Sequence, residues 1–307
     1  MSSLFKLVDC EYRIVICDNN SDNNSYYEIK NWILSEKEKN SYLNAMDLKC
    51  INVLNNESYC IESNDLFLLQ TGKNLGFAGG MNVGIRVALE DPRMEYVWIL
   101  NNDTEVDKNA LSALIKHAKS DCRIGICGST LLYHDQPNVI QAVGGKYNSY
   151  LGTIKHILGH RQYSEKLCLS IDVNDMDYIV GAAMLVSKEF IEKIGLMDES
   201  YFIYFEELDW ATRAKRFDPV FKLGYAAKSI VLHKEGASIG SGSKRNGKRQ
   251  SFSDTYALRN RIAFSNKFYK NRVFFVKFFI LLSSMSRMIK CDFDAALRAF
   301  KVVMGRL

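Results

Sequence analysis

Short apolar runs alternate along the chain with stretches of helical periodicity. The apolar runs predict strands at residues 12–17, 65–70, 96–100, 124–133, 177–186 and 228–232. The helical pattern predicts helices at residues 26–34, 82–89, 108–118 and 188–194, and a further short helix that ends near residue 217. Unbroken apolar runs suit parallel strands that are buried on both faces. The alternation therefore predicts an α/β sheet with right-handed crossovers.

Three segments depart from this alternation. Residues 134–172 have weak periodicity and are predicted to form hairpins or a variable insertion. Residues 236–249 are rich in glycine, serine and basic residues, which is typical of a mobile loop. Residues 251–307 are helical in pattern and rich in phenylalanine and basic residues. We therefore divide the chain into a main domain at residues 1–250 and a basic, apolar helical tail at residues 251–307.

Composition indicates a folded cytoplasmic protein. The hydrophobic fraction is 47% and the charged fraction 24%, both ordinary for a soluble domain. No apolar leader follows Met1, and the eight cysteines show no zinc-binding spacing. The net charge is +5, and basic residues concentrate in the last quarter of the chain, where they would attract phosphates or lipid headgroups. The apolar run 273–282 is too short to span a bilayer, so it suits a helix at the membrane interface or, equally, one packed on the domain or in a homodimer contact.

The segment Leu100-Asn101-Asn102-Asp103 follows a predicted strand and is a candidate metal site. Ligands bind at strand ends in α/β sheets, and a carboxylate there can hold a divalent metal ion. The alternative is that Asp103 caps the helix that begins near Lys108. His233 also ends a predicted strand. A lone histidine is usually structural, but this position favours ligation of the same metal.

The glycine-rich segment at residues 74–84 matches neither a dinucleotide fingerprint nor a P-loop. It predicts a strand-to-helix turn, where small residues let the backbone approach a ligand, although a purely structural turn is the alternative. In the segment Tyr201–Trp210, three carboxylates follow four aromatic residues. Apolar walls and neighbouring negative charge raise a carboxyl pKa, which suits a general base. An acidic helix start is the alternative, and Asp209 is expected to pair with Arg213 at i,i+4.

Taken in order, these segments resemble family-2 inverting glycosyltransferases, and most closely the bacterial rhamnosyltransferase and galactofuranosyltransferase-like branch. The resemblance covers roughly residues 10–270. It rests on Asp-Asn-Asn-Ser-Asp, Asn-Leu-Gly-Phe-Ala-Gly-Gly-Met-Asn, Leu-Asn-Asn-Asp, Gly-Ala-Ala-Met-Leu-Val, Phe-Ile-Tyr-Phe-Glu-Glu-Leu-Asp and His233. It implies a GT-A fold, which is a Rossmann-like nucleotide-diphospho-sugar transferase fold, here with a helical C-terminal extension.

The resemblance also implies roles for individual residues. Asp103 and His233 would hold Mg²⁺ or Mn²⁺, and Glu207 would be the catalytic base, with Glu206 able to share that role. Donor-binding residues would be Asp18, Asn74, Gly76, Asn82, Asn101, Gly181 and Ala182. The structural or acceptor-side residues would be Asp209, Trp210 and Arg213. The loop at residues 236–249 would close over the donor phosphates.

The implied reaction transfers one sugar, with inversion, from a dTDP- or UDP-sugar to a glycan or a polyprenyl-diphosphate-linked acceptor. Rhamnose is the favoured sugar, and the implied setting is O-antigen or capsule synthesis at the inner face of the plasma membrane. The alternatives are a sugar nucleotidyltransferase and a catalytically impaired scaffold protein. Nucleic-acid binding is disfavoured because the basic residues lie beside an apolar helix.

One departure from the family pattern concerns the start of the chain. The family has an apolar strand and a helix before the strand that ends in Asp-Asn-Asn-Ser, and here only residues 3–9 precede that strand. We therefore expect an N-terminally truncated chain or a misassigned start codon. Two neighbouring strands would then each have one unpaired edge.

Overall fold

The computed structural model describes residues 1–53, 65–217, 221–234 and 251–306. Its smaller sheet is parallel and has three strands in the order β1-β3-β2. The strands are β1 (Ile14–Asp18), β2 (Asp47–Asn52) and β3 (Asp65–Gln70). Between β1 and β2 the chain forms α1 (Ser25–Lys37) and α2 (Ser41–Asn44). The middle strand β3 is buried on both faces, which explains its unbroken apolar sequence.

The larger sheet is mixed and has six strands, in the order β4-β10-β6-β11-β5 with β7 paired to β6. Its strands are β4 (Tyr96–Leu100), β5 (Thr104–Val106), β6 (Ile124–Tyr133), β7 (Gln136–Ala142), β10 (Ala183–Ser187) and β11 (Lys222–His233). Strands β8 (Gly145–Asn148) and β9 (Thr153–His156) form a separate antiparallel hairpin. The weakly periodic segment therefore contains hairpins, as predicted.

Helices pack against these sheets. They are α3 (Gly76–Leu89), α4 (Ala110–Ala118), α5 (Glu165–Leu169), α6 (Lys188–Ile194) and α7 (Glu206–Lys215). Helix α3 packs against β1 and also contacts β4, so it connects the two sheets. The main core lies between the larger sheet, α6 and α7, and its fully buried side chains include Phe190 and Trp210.

Strands β1 and β4 each lie at one end of their own sheet. Among the described residues, β1 pairs only with β3, and β4 pairs only with β10. The segment that precedes β1 lies against both sheets, since Leu4 packs on the core clusters of each. The Val8 amide also donates to the Lys108 carbonyl oxygen at 3.1 Å.

Three helices form the C-terminal region: α8 (Ser251–Phe268), α9 (Val273–Ile289) and α10 (Phe293–Val303). Asp254 of α8 is buried and accepts two hydrogen bonds of 2.7 Å from the Arg287 guanidinium of α9. Arg287 also donates to the Ala295 carbonyl oxygen in α10. One buried ion pair thus ties the three helices together. Within the part of the chain that is described, every helix is too short or too polar to cross a bilayer.

Most predicted elements are present, but several differ in their limits; strand β11 begins at Lys222 rather than at residue 228. Helix α3 begins at Gly76, so most of the predicted glycine turn is helical. Strand β10 begins at Ala183 rather than at residue 177, because residues 177–182 lead into the sheet as a loop that pairs with Gly145. Strand β2 and helix α2 were not predicted. The predicted loop at residues 236–249 lies outside the described residues.

Candidate functional site

The structure brings together the two predicted metal ligands, Asp103 and His233. The antiparallel pairing of β11 with β5 sets His233 opposite Thr104, so the imidazole lies beside the residue that precedes β5. The Nε2 atom of His233 lies 3.1 Å from Oδ1 of Asp103, and each side chain is about nine-tenths buried. The Asp103 carbonyl oxygen also accepts a hydrogen bond from the Lys234 amide. Two distant segments are therefore held together at one strand end.

Gln141 orients the imidazole ring. Its side-chain oxygen lies 2.8 Å from Nδ1 of His233 and accepts a hydrogen bond from that atom. The other ring nitrogen, Nε2, faces Asp103, and the side-chain nitrogen of Asn101 lies 3.5 Å from it. Hydrogen bonding to the second ring nitrogen is the usual way in which proteins fix a metal-binding histidine. Sequence patterns did not reveal Gln141, because it lies in β7, 92 residues away from His233.

Asp103 does not cap a helix. The next helix, α4, begins at Ala110 and its cap position is Asn109, while β5 lies between Asp103 and that helix. The capping alternative is therefore wrong. Asp103 instead lies within the turn after β4, in which the Asn101 carbonyl oxygen accepts hydrogen bonds from the Thr104 amide and hydroxyl.

The side chains of Asp103 and His233 fit a divalent metal ion, but they supply only part of its coordination. One carboxylate oxygen and one imidazole nitrogen face each other at 3.1 Å. Both are atom types that bind divalent metal ions in proteins. Among the described residues, no group of three or more histidine, cysteine, aspartate or glutamate side chains is placed to hold a metal. A metal ion here would therefore need further ligands from a bound anion, as Mg²⁺ commonly takes from substrate phosphates.

The second group of candidate residues lies at the start of α7. Glu206 and Glu207 are the first two residues of this helix, and Glu206 is 4% exposed. Burial, together with the negative charge of Glu207, raises the pKa of Glu206 well above its ordinary value. Burial raises the pKa of Glu207 to about 7. Oε2 of each glutamate is buried and has no hydrogen-bond partner among the described residues. A carboxyl with a pKa near neutrality suits general base catalysis.

The turn before these glutamates has a strained backbone. Phe202, Tyr204 and Phe205 have positive φ angles of 62°, 68° and 77°. Non-glycine residues avoid this region, and each such residue costs about 1–3 kcal/mol. Strain of this kind concentrates at functional sites, where the surrounding structure holds it in place.

Asn260 of α8 holds the strained turn. Its buried side-chain nitrogen donates to the carbonyl oxygens of Tyr201, Ile203 and Tyr204 at 2.8, 2.7 and 3.0 Å. One turn earlier in α8, Tyr256 stacks on the Phe202 ring. Sequence analysis did not identify Asn260. The sequence feature that could have identified it is its position four residues before the buried Phe264, which places a polar side chain on the core face of a helix.

Tyr178 adds a third buried polar group near the glutamates. Burial and the negative charge of Glu207 raise the pKa of its phenol. The Tyr178 hydroxyl has no hydrogen-bond partner among the described residues, as is true of Oε2 of Glu206 and Glu207. Buried polar atoms without partners are rare in folded proteins, and a bound hydroxylic ligand would satisfy them.

A short series of contacts joins the two groups. The Phe202 carbonyl oxygen accepts a hydrogen bond of 2.6 Å from the Phe77 amide at the start of α3. The Phe77 ring lies next to Gly181. The backbone carbonyl oxygen of the next residue, Ala182, accepts a hydrogen bond of 3.0 Å from the backbone amide of Asn101. Asn101 lies two residues before the metal-site candidate Asp103. The glutamate turn and the Asp103–His233 pair therefore belong to one connected region.

The remaining predicted donor residues have structural contacts in this region. Asp18 ends β1 and is 5% exposed, and its carboxylate accepts a hydrogen bond from the Ser21 amide. Asn74 accepts hydrogen bonds from the Gly76 amide and from Asn19, which closes the loop before α3. Gly76 has a φ of +71°, and a Cβ atom there would overlap the Phe202 carbonyl oxygen. Only glycine fits this position without moving the strained turn.

Asn82 has a different role from the one predicted. It is 1% exposed, and its amide exchanges hydrogen bonds with both backbone groups of Met197 and donates to Glu199. Both ends of the side chain are occupied by the protein. Asn82 therefore positions the loop that leads to the glutamate turn, and its amide is not directed at a donor.

Asp209, Trp210 and Arg213 anchor α7. Asp209 is fully buried and receives the predicted ion pair from Arg213 at 2.7 Å, together with hydrogen bonds from Tyr201 and Lys267. Arg213 also donates to two carbonyl oxygens after α6. Trp210 is fully buried and donates to the Gly195 carbonyl oxygen. All three residues are structural, and the acceptor-side alternative fails for Trp210 because no part of its ring reaches solvent.

Comparison with known proteins shows a similarity over slightly less than half of the chain. Residues 55–195 match the sequence profile described as "Glycosyl transferase family 2". This segment contains β3, α3, β4, the Asp103 turn and β10. This part of the chain is therefore similar to glycosyltransferase family 2.

Two curated relatives share part of their sequence with this chain. One is the low-salt glycan biosynthesis hexosyltransferase Agl10 of Haloferax volcanii, 27% identical over 195 residues, which cover 61% of this chain and 60% of the relative. The other is the dTDP-rhamnosyl transferase RfbF of Shigella flexneri, 25% identical over 193 residues, which cover 62% of this chain and 60% of the relative. The chain thus matches about three fifths of the length of each.

Solved structures show the same fold. GalNAc-T7 with UDP, GalNAc and Mn²⁺ aligns with a TM-score of 0.52 and 13% identity, covering 85% of this chain and 47% of that one. A mannosyltransferase from Pyrobaculum calidifontis in complex with GDP-Man and Mn²⁺ aligns with a TM-score of 0.52 and 10% identity, covering 98% of this chain and 68% of that one. The fold is GT-A, as the sequence predicted.

The close approach of Gly76 to Phe202 gives a testable prediction. Gly76→Ala should lower the free energy of unfolding by about 2–5 kcal/mol, because it adds overlap with a backbone oxygen to the strain of a positive φ. Gly305 is the matched control, since it has a φ of +68° and nothing within 4 Å of the added Cβ. Gly305→Ala should cost only about 1–2 kcal/mol in the same urea titration. Equal losses in the two variants would contradict the close approach.

Proposed function

We propose that this protein transfers one sugar from a nucleotide-diphosphate donor to an acceptor hydroxyl, with inversion at the anomeric carbon. The observation that carries the proposal is the pairing of Asp103 with His233 at 3.1 Å, in one region with the buried Glu206 and the half-buried Glu207. The similarity of residues 55–195 to glycosyltransferase family 2 and the GT-A fold support the same activity.

Donor binding is assigned to the strand ends around Asp103. Asp103 and His233 would hold Mg²⁺ or Mn²⁺, which would neutralise the charge that develops on the diphosphate leaving group. Asn101 contacts the same histidine and would contribute to this end of the site. Gly181 and Ala182, which follow Phe77 in the contact series, would line the sugar position. Both solved structures with this fold contain Mn²⁺ and a nucleotide or nucleotide sugar, which supports a metal-dependent donor.

Acceptor activation is assigned to Glu207. Its carboxylate would remove the proton from the acceptor hydroxyl as that oxygen attacks the anomeric carbon on the face opposite the diphosphate. One displacement then inverts the configuration. Oε2 of Glu207 lacks a hydrogen-bond partner among the described residues, so it is available to accept this proton. Glu206 is more buried and has a raised pKa, so it would stay protonated beside the base.

Rhamnose is the sugar that we favour, in the synthesis of a bacterial surface polysaccharide such as O-antigen or capsule. The support is the partial match to a dTDP-rhamnosyl transferase. The second relative is a hexosyltransferase of glycan biosynthesis, which supports a glycan or lipid-linked acceptor. A screen of nucleotide sugars with Mg²⁺ or Mn²⁺, scored by release of nucleoside diphosphate, tests the proposal. Metal-dependent turnover of dTDP-rhamnose is expected; no turnover of any donor would favour a scaffold protein.

Glu207→Gln should lower the rate of transfer by about 10²- to 10⁴-fold, because the amide cannot accept the proton. Donor affinity, measured by calorimetry in the presence of metal, should remain within about threefold of the parent value. Glu206→Gln is the matched control and should keep most of the transfer rate. A rate that falls in Glu206→Gln and persists in Glu207→Gln would move the base to Glu206.

The rate of transfer should depend on pH through Glu207. The base acts as a carboxylate, and burial raises the pKa of Glu207 to about 7, so the active form is lost as the pH falls below that value. The expected kcat is level above about pH 8 and declines by about tenfold per pH unit below about pH 6. A kcat that stays constant between pH 5 and 8 at saturating donor and metal would contradict this assignment.

A further inference from the structure

Helix α9 is apolar on both of its faces. Its inner face is buried through Val276 and Ile280. Its outer face carries a row of apolar side chains at spacings of three and four, and these are 42% to 84% exposed. The row consists of Phe274, Phe278, Leu282, Met285 and Ile289. A helix that is apolar all round normally has a partner on each side.

Helix α10 repeats this arrangement. Its inner face is buried through Ala295, Ala299 and Val302. Its outer row, 46% to 63% exposed, consists of Phe293, Leu297, Phe300 and Met304. We refer to these four residues and the five of α9 as the apolar rows. Eleven of the eighteen large exposed hydrophobic side chains in the described residues lie within residues 273–304. Exposed apolar surface concentrated in this way marks a binding surface.

The charge of the same region is strongly positive. Residues 251–306 contain eleven lysines and arginines and three aspartates, whereas the whole chain has a net charge of only +5. Several of these cations form no ion pair with any described residue: Lys270, Lys277, Lys290, Lys301 and Arg306. Lys277 and Lys301 lie next to Phe278 and Phe300 in the sequence. The occupant of this surface therefore has an apolar part and an anionic part.

We propose that α9 and α10 dock this protein on the surface of an anionic lipid bilayer. The apolar rows enter the boundary between headgroups and acyl chains, and the unpaired cations contact lipid phosphates. Because no described helix is long and apolar enough to span a bilayer, the helices lie in the plane of the interface. A second copy of the chain fits less well, since a two-fold contact would bring like cations together. A nucleic acid would leave the apolar rows without partners.

Sedimentation with lipid vesicles tests the proposal on the full chain. The parent protein should bind vesicles that contain phosphatidylglycerol at least about tenfold more tightly than vesicles of phosphatidylcholine alone. A triple variant, Phe274→Ser, Phe278→Ser and Met285→Ser, should lose most of this binding. The matched control replaces three exposed apolar residues elsewhere, Tyr27, Leu34 and Leu169, by serine and should bind like the parent.

Two further measurements are needed. One shows whether the triple variant is still folded, and the other tests how much the positive charge contributes to vesicle binding. Circular dichroism melts should show the triple variant folded, because the replaced side chains point away from the core. A second variant, Lys277→Gln, Lys290→Gln and Lys301→Gln, should bind phosphatidylglycerol vesicles several-fold more weakly and with less dependence on salt. Vesicle binding that is unchanged in a folded triple variant would overturn the proposal. So would a stable dimer that the triple variant dissociates while the parent ignores both vesicle types.

Discussion

The antiparallel pairing of β11 with β5 is the contact on which the candidate site depends. It sets Val231 opposite Val106, and both side chains are buried. This apolar pair fixes the register, and the register places His233 opposite Thr104 and beside Asp103. Because side chains alternate across a strand, a shift of one residue would turn the imidazole to the other face of the sheet. The packing of these two valines therefore determines the geometry of the metal-site candidates.

The second constraint is the strained turn before α7. Its three positive φ angles cost several kcal/mol in total, and the protein offsets this through the hydrogen bonds of Asn260 and the packing of Phe202. The turn places Glu206 in a buried position and Glu207 in a half-buried one, and the pKa values of both rise. Since Asn260 belongs to α8 and Phe264 lies in the main core, the first tail helix is part of the framework around the glutamates.

Much of the fold follows from local sequence because burial dictates composition. The strands at residues 65–70 and 124–133 have the predicted limits, since strands buried on both faces are apolar throughout. Helix α3 was harder to predict because glycine normally disfavours helices. Here the glycines leave room for close neighbours: Phe202 lies against Gly76, Asn19 against Gly80 and Cys17 against Gly84. Those neighbours are distant in the sequence, so no local pattern reports them.

The residues of the candidate site also fall into two groups, those that local sequence predicts and those that it does not. Asp103, His233 and Glu207 stand at ends of predicted strands or at a helix start, where position alone suggests chemistry. The orienting side chains do not have this property. Gln141 acts on a histidine 92 residues away, and Asn82 acts on a backbone segment 115 residues away. Their roles depend on the register of strands and on loop paths, which tertiary packing determines.

The most direct test of the central claim is whether Asp103 and His233 hold a divalent metal together with the donor. Calorimetry would measure the binding of a nucleotide sugar with and without Mn²⁺ in the parent protein, in His233→Ala and in the matched control His117→Ala, a half-buried histidine on α4. The account predicts metal-dependent binding in the parent protein and in the control, weakened at least about tenfold in His233→Ala. Binding that needs no metal and is equally strong in all three proteins would contradict it.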